Sequence, residues 1–137
     1  MNKSEIREVL FKLVYSLEVQ KNENDEQIDV FLENIDASDK VKEDVKETTL
    51  KIVELNSVIE KEIEKNLKAE WNLERVSKIN LAILKIAIYE IVYKKLPYKI
   101  SINEAVELAK KYGEDTSASF INGILASVVK DKKIAEE

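Results

Sequence analysis

The sequence predicts an all-α domain packed around one central helix, and three observations carry that expectation. The 137 residues include only two Gly and one Pro, among abundant Lys, Glu, Leu, Ile and Val, so helices meet few breaks. Apolar residues recur at spacings of three and four along most of the chain, the period of a helix with one buried face. The segment Ile79 to Tyr93, INLAILKIAIYEIVY, is apolar except at Asn80, Lys85 and Glu90. Successive ones among those three lie roughly 140° apart around a helix, so the segment has no polar face and must be surrounded by other elements. It is too short and too interrupted for a bilayer span, and no membrane partner is expected.

The first helix carries Ile6, Val9, Leu10, Leu13, Val14 and Leu17 as its apolar stripe, with Asn2 and Glu5 placed for a capping box. Phe11 and Tyr15 form an i, i+4 pair on its flank; core-edge packing is the preferred reading and a partner-binding edge the other. The tract Lys21-Asn22-Glu23-Asn24-Asp25 reads as a loop. Ile28, Phe31, Leu32 and Ile35 make a short second helix, and Ser38 or Asp39 caps the next. From Lys40 the pattern Val41, Val45, Thr48, Ile52, Leu55, Ile59, Ile63 predicts one continuous helix of about 28 residues, roughly 40 Å long. Its outer face is dense in Lys and Glu, with like-charge pairs such as Glu60–Glu64 and Lys61–Lys65, and reads as solvated.

Residues 66–72 form a corner at which Trp71, the only Trp, is expected to anchor neighbouring helices rather than serve as a stacking platform. One turn follows at Leu73–Val76, and Ser77 caps the central helix. That helix stops at Lys94-Lys95, whose charges suit a helix C-terminus, with Pro97 just beyond. Ser101-Ile102-Asn103-Glu104 fits a capping box, so the next helix is expected to begin at Ile102. Ile102, Ala105, Val106, Leu108, Ala109 and Tyr112 form its inward side and Gly113 its end. The last helix points Phe120, Ile121, Ile124, Leu125 and Val128 to the core. Gly123 inside it costs about 1 kcal/mol relative to Ala, for which close approach to another helix is the expected reason. From Lys130 the tail is expected to fray.

Composition limits the chemistry. There is no Cys and no His, so disulfides, thiolate catalysis, the usual zinc site and the commonest general base are absent. No phosphate-binding glycine loop or nucleophile motif occurs, and the carboxylates lie on solvated faces. No catalytic residue, metal ligand or cofactor is expected, and the chain reads as an interaction module rather than an enzyme. The N-terminus lacks the apolar core of a signal peptide, which makes the cytoplasm the expected compartment. Charge is uneven: residues 1–70 hold 11 Lys+Arg against 18 Asp+Glu, residues 71–137 hold 11 against 9, and the net charge is −5. Such a balance is not that of a free-standing nucleic-acid binder; if the chain binds RNA, weak binding alone or help from a basic partner is expected.

Four blocks resemble the NusB family. They are Ala82-Ile83-Leu84-Lys85-Ile86-Ala87-Ile88-Tyr89-Glu90, Leu96-Pro97, Ile102-Asn103-Glu104-Ala105-Val106-Glu107-Leu108-Ala109-Lys110, and Phe120-Ile121-Asn122-Gly123-Ile124-Leu125. They occur in the family's order and spacing over about 55 residues. Arg7-Glu8 and Leu13-Val14-Tyr15 match its first-helix pattern. The resemblance implies a single seven-helix domain over 1–137, built from two packed sub-bundles, with 1–70 as the N-terminal helices and 71–137 as the C-terminal sub-bundle. It implies transcription antitermination in ribosomal RNA operons, with boxA-type RNA gripped jointly with NusE, a ribosomal small-subunit protein, within the transcription elongation complex.

The resemblance also implies sites. Lys3, Arg7, Lys110, Lys111, Phe120 and Asn122 are the candidates for RNA contact, with Phe120 able to stack on a base. Ser77, Lys78, Asn80 and Leu81, with Tyr15, are the candidates for the partner surface, and Asn80 is the central-helix residue left to face a partner. Many members carry an N-terminal arginine cluster, reduced here to Lys3 and Arg7, with Glu5 where a base is frequent and Ser119 at a position that can be Lys. Fewer phosphate contacts mean weaker, less salt-dependent binding. Glu90, if buried, is expected to accept hydrogen bonds from a neighbouring helix start or a basic side chain. Asn103 and Asn122 are expected to tie loop backbone somewhat more readily than to touch RNA. Two other readings are open: a helical adaptor for basic proteins, and a relative of the RNA-binding domain of ribosomal-RNA cytosine methyltransferases, a reading that would need a catalytic domain following Glu137. A homodimer would hide the partner surface.

Overall fold

A computed structural model describes residues 1–21 and 25–134. Among these residues there are seven α-helices and no strand: α1 (Lys3–Gln20), α2 (Asp25–Glu33), α3 (Asp39–Glu54), α4 (Asn56–Lys65), α5 (Lys78–Ile88), α6 (Tyr98–Tyr112) and α7 (Ser117–Asp131). A 3₁₀ turn at Leu73–Arg75 precedes α5, and a π-helical turn at Tyr89–Tyr93 extends it. Helix α5 packs against α1, α4, α6 and α7 and is the hub of the domain. Every residue from Leu81 to Ile88 is buried, as a helix without a polar face requires. Helix α3 lies on α1 and α2, while α4 turns away to lie on α5 and α7.

The caps read from sequence at Asn2, Ser38 and Ser77 are present. Asn2 and Glu5 exchange hydrogen bonds of 3.0 and 2.8 Å, completing the capping box. Ser38 accepts from the Val41 N–H at 3.2 Å, and Ser77 accepts from the Asn80 N–H at 3.1 Å. The loop expected over 21–25 is described only at its edges, where Lys21 ends α1 in a left-handed conformation and Asp25 begins α2; residues 22–24 lie outside the described residues.

Several expectations are corrected. The long third helix is two helices, because Leu55 leaves helical geometry (φ −93°, ψ 5°) and lets α3 and α4 face different neighbours. No Gly or Pro marks that bend; tertiary packing makes it. On α3 the buried threonine is Thr49, which donates to the Val45 carbonyl at 2.8 Å, rather than Thr48. The face of α4 is not wholly solvated. Glu60 reaches inward to Lys85 at 3.0 Å and Glu62 to Lys132 at 3.1 Å.

Helix α6 starts four residues earlier than expected, at Tyr98 after Pro97, whose fixed φ suits a helix start. Ser101 is therefore inside the helix, 1% exposed, and its hydroxyl has no partner among the described residues. Gly113 does end α6, but in an extended conformation, and the constraint on it is steric. A Cβ there would lie 2.6 Å from the Ser117 side chain and 2.8 Å from the Ala109 carbonyl oxygen. Gly123 has no such neighbour: a Cβ would meet nothing within 4 Å, so close helix approach does not explain it. The tail is tied as far as it is described. Lys65 pairs with Asp131 at 2.9 Å, and the Ile134 N–H donates to the Val129 carbonyl at 3.0 Å; residues 135–137 lie outside the described residues.

Two charges sit in the otherwise apolar hub. Lys85 is 2% exposed and pairs with Glu18 of α1 and Glu60 of α4; Glu90 is 6% exposed and pairs with Arg7 of α1. Lys85→Ala would leave the Glu18 carboxylate buried without its cation, and should lower unfolding free energy by about 3–5 kcal/mol, read as a fall in the urea midpoint.

Candidate functional site

The candidate RNA residues fall in two groups on either side of the α6–α7 turn. The first lies along the seam between α1 and α6. Arg7 Nε donates to Glu90 Oε2 at 2.9 Å, and its Nη1 lies 3.6 Å from Glu104. Only 11% of the Arg7 side chain is exposed, so this guanidinium holds α1 to the hub and is turned away from solvent. The expectation that a buried Glu90 needs a basic partner is met by that contact. Ser4 donates to Glu104 at 2.7 Å on the same seam. Lys111 reaches back to both Glu8 carboxylate oxygens at 2.9 and 3.0 Å, and the Tyr112 hydroxyl donates to Glu8 as well.

Of the bases on this side, Lys3 and Lys110 are exposed, and Lys110 lies 3.6 Å from Glu107 of its own helix. Lys111 is also exposed and sits 5.5 Å from the centre of the Tyr112 ring. The hydrogen bond from Tyr112, then that from Lys111, hold the Glu8 carboxyl below the usual glutamate range. Burial and the Glu8 bond push Tyr112 up, and the Glu8 bond raises Lys111.

The second group is aromatic. Trp71, expected as a corner anchor, is 45% exposed. Its ring centre lies 5.9 Å from Phe120 at an interplanar angle of 37°, and the Arg75 guanidinium carbon lies 5.6 Å from the Trp71 ring centre. Local structure holds this stack. Asn72 accepts from the Arg75 N–H at 3.2 Å to cap the 3₁₀ turn, and Arg75 Nη1 donates to the Glu70 carbonyl at 3.1 Å. Asn122 is exposed on the next part of α7, and neither it nor Asn103 has a hydrogen-bond partner among the described residues, so neither ties loop backbone. The sequence reading sets Trp71 as a corner anchor ahead of a stacking platform, and its contact with Phe120 of α7 fits that corner; Arg75, four residues on, is not among the sequence candidates.

The candidate partner residues gather at the start of α5. Ser77 is exposed and caps the helix. Lys78 is half-buried beside Lys21, and that like charge, together with burial, pulls it below the usual lysine range. Asn80 is partly exposed, and its side-chain oxygen is buried without a partner among the described residues. Leu81 belongs to the core at 4% exposure and is withdrawn from this surface by the burial that makes α5 the hub. Tyr15 is half-buried and stacks at 6.1 Å on the buried Phe11.

Comparisons with known proteins agree on one family. The sequence model of the NusB family matches residues 4–130. The chain is 42% identical to the transcription antitermination protein NusB of Acetivibrio thermocellus, with 100% of this chain and 94% of that protein covered. It is also 42% identical to the NusB of Ruminiclostridium cellulolyticum, over 95% of this chain and 90% of that one. Among solved structures it is similar to T. maritima NusB, with a TM-score of 0.85 at 31% identity, covering 96% of this chain and 92% of that chain. A complex of the antitermination factors NusB and NusE with double-stranded RNA has the same fold, with a TM-score of 0.81 at 23% identity and 96% and 99% covered.

The Glu8 cluster has a pH signature. Because its carboxyl is depressed in the folded state, the stability it supplies is present above its ordinary value of 4.5 and is lost as pH falls through the folded value. The urea midpoint of the wild type should exceed that of Glu8→Gln at neutral pH, with the gap closing in acid below 4.5.

Proposed function

The chain belongs to the NusB family, and from that membership we propose that it is an antitermination factor that holds boxA-type RNA together with NusE during transcription of ribosomal RNA operons. It acts by binding and not by catalysis, in the cytoplasm, within the elongation complex. Among the described residues no helix is long and apolar enough to cross a membrane. The related NusB that was solved with NusE and double-stranded RNA supports the choice of partners.

The observation that carries the reading is the exposed stack of Phe120, Trp71 and Arg75 beside the α6–α7 turn. A half-exposed Trp with a guanidinium near its face offers a π surface and a cation to an unpaired base. On the other side of the same turn, the exposed Lys3 and Lys110 can meet phosphates, as can Lys111 once it leaves Glu8, with the exposed Asn122 on the same helix as Phe120. Arg7 contributes by positioning the N-terminal arm through Glu90. The surface is poor in free cations, so the basic NusE supplies the charge that this acidic chain lacks. For NusE, Ser77, Lys78 and Asn80 are the proposed contacts, with Tyr15 at the edge.

Phe120→Ala and Trp71→Ala should each weaken binding of a boxA-like RNA to the complex with NusE by about tenfold or more, in line with the 1–3 kcal/mol of one stacked base. A mobility-shift titration with and without NusE checks this. Unchanged affinity in both variants would remove the aromatic stack from the interface, and no shift with NusE present would overturn the reading as a whole.

A further inference from the structure

A cleft of about 370 Å³ opens where the π-turn, the start of α6 and the end of α7 meet. Val92, Leu96, Tyr98 and Ile134 give it an apolar lining, to which Lys95, Lys99, Lys132 and Lys133 also contribute. Among the described residues no Asp or Glu lines it, in a chain whose net charge is −5. None of the residues assigned above to RNA or NusE belongs to it.

The lysines are differently engaged. Lys132 reaches Glu62 at 3.1 Å. Lys95 and Lys133 are exposed and pair with no acidic group among the described residues. Both have left-handed backbone, with φ of 57° and 53°, and each follows the last turn of a helical segment. A cation there offsets the negative end of a helix dipole. That explains a base at each end; it does not explain why two such ends converge on one apolar cleft.

The lining decides what the cleft fits. Unpaired bases are held by aromatic faces and guanidinium planes. Here one tyrosine stands among aliphatic side chains, and the cations are ammonium groups without the fork that favours phosphate. The volume lies at the small end of ligand sites and has room for one large apolar side chain. Lysines around it ask for carboxylates flanking that side chain. Because most of the protein repels acidic partners, a local basic rim would orient such a partner as well as attract it.

We propose that this cleft docks an acidic peptide segment of a partner protein, with one large apolar side chain inserted and carboxylates facing Lys95 and Lys133. This goes beyond the RNA and NusE reading and does not depend on it. The test is fluorescence anisotropy of the intact chain with a fluorescein-labelled peptide of sequence DELFED. Saturable binding with Kd below about 1 mM is expected. At least a tenfold loss should follow from the double substitution Lys95→Glu and Lys133→Glu, and from replacing Leu-Phe of the peptide by Ala-Ala. Lys95→Gln with Lys133→Gln, which removes charge without adding any, should weaken binding in the same direction. Both residues are exposed, so the helical circular dichroism of the variants should match the wild type. Absence of saturable binding, or equal affinity in the charge variants, would overturn the proposal. So would binding of a uridine hexanucleotide that the lysine substitutions abolish while the peptide does not bind, which would make the cleft a nucleic-acid site.

Discussion

Two buried ion pairs between α1 and α5 constrain the rest of the fold. A helix apolar all round can be packed in many rotations and registers, because apolar contact has little direction. Lys85 and Glu90 remove that freedom. Each is buried, and an unpaired charge in such surroundings costs several kcal/mol. Besides Glu60 of α4, which also meets Lys85, their partners lie on α1 in crossed order: Arg7, near the start of α1, meets Glu90 beyond the end of α5, and Glu18, near the end of α1, meets Lys85. Only an antiparallel α1 in one register satisfies both. The π-turn belongs to the same device, since it begins at Tyr89 and leaves Glu90 and Ile91 buried together.

This arrangement shapes the surface. Because Arg7 serves the interior and Lys111 is held by Glu8, the seam of α1 and α6 offers fewer cations to a polyanion than its sequence suggests. Sequence counts bases; the fold decides which of them face outward. What the surface offers in exchange is the aromatic corner, where Phe120 supports an exposed Trp71 and Arg75 lies near the indole ring. Stacking is less sensitive to salt than phosphate contact, so an acidic chain can use it and leave charge neutralisation to a basic partner.

Legibility in the sequence followed the physics of each feature. The hub was visible because an apolar run without a polar face has one solution. The caps at Asn2, Ser38 and Ser77 were visible because they are local. The bend at Leu55 was not, since no residue there breaks a helix and only the separate neighbours of α3 and α4 produce it. The Ser101 capping box was a false local signal, overridden by Pro97 four residues earlier. At the candidate site, the need of Glu90 for a cation could be argued, but which cation could not. Arg7 lies 83 residues away, and its removal from solvent is a tertiary fact. Trp71 keeps the corner position read from sequence through its contact with Phe120 of α7, but nothing local showed that it would stay 45% exposed there.

The register claim is most directly tested by a double-mutant cycle on Arg7 and Glu90, using Arg7→Met and Glu90→Gln with urea unfolding. If the pair is the clamp described, the two substitutions couple by about 1–3 kcal/mol, the double variant losing much less than the sum of the singles. Strict additivity, with each single change costing under about 0.5 kcal/mol, would show that apolar packing alone sets α1 on α5.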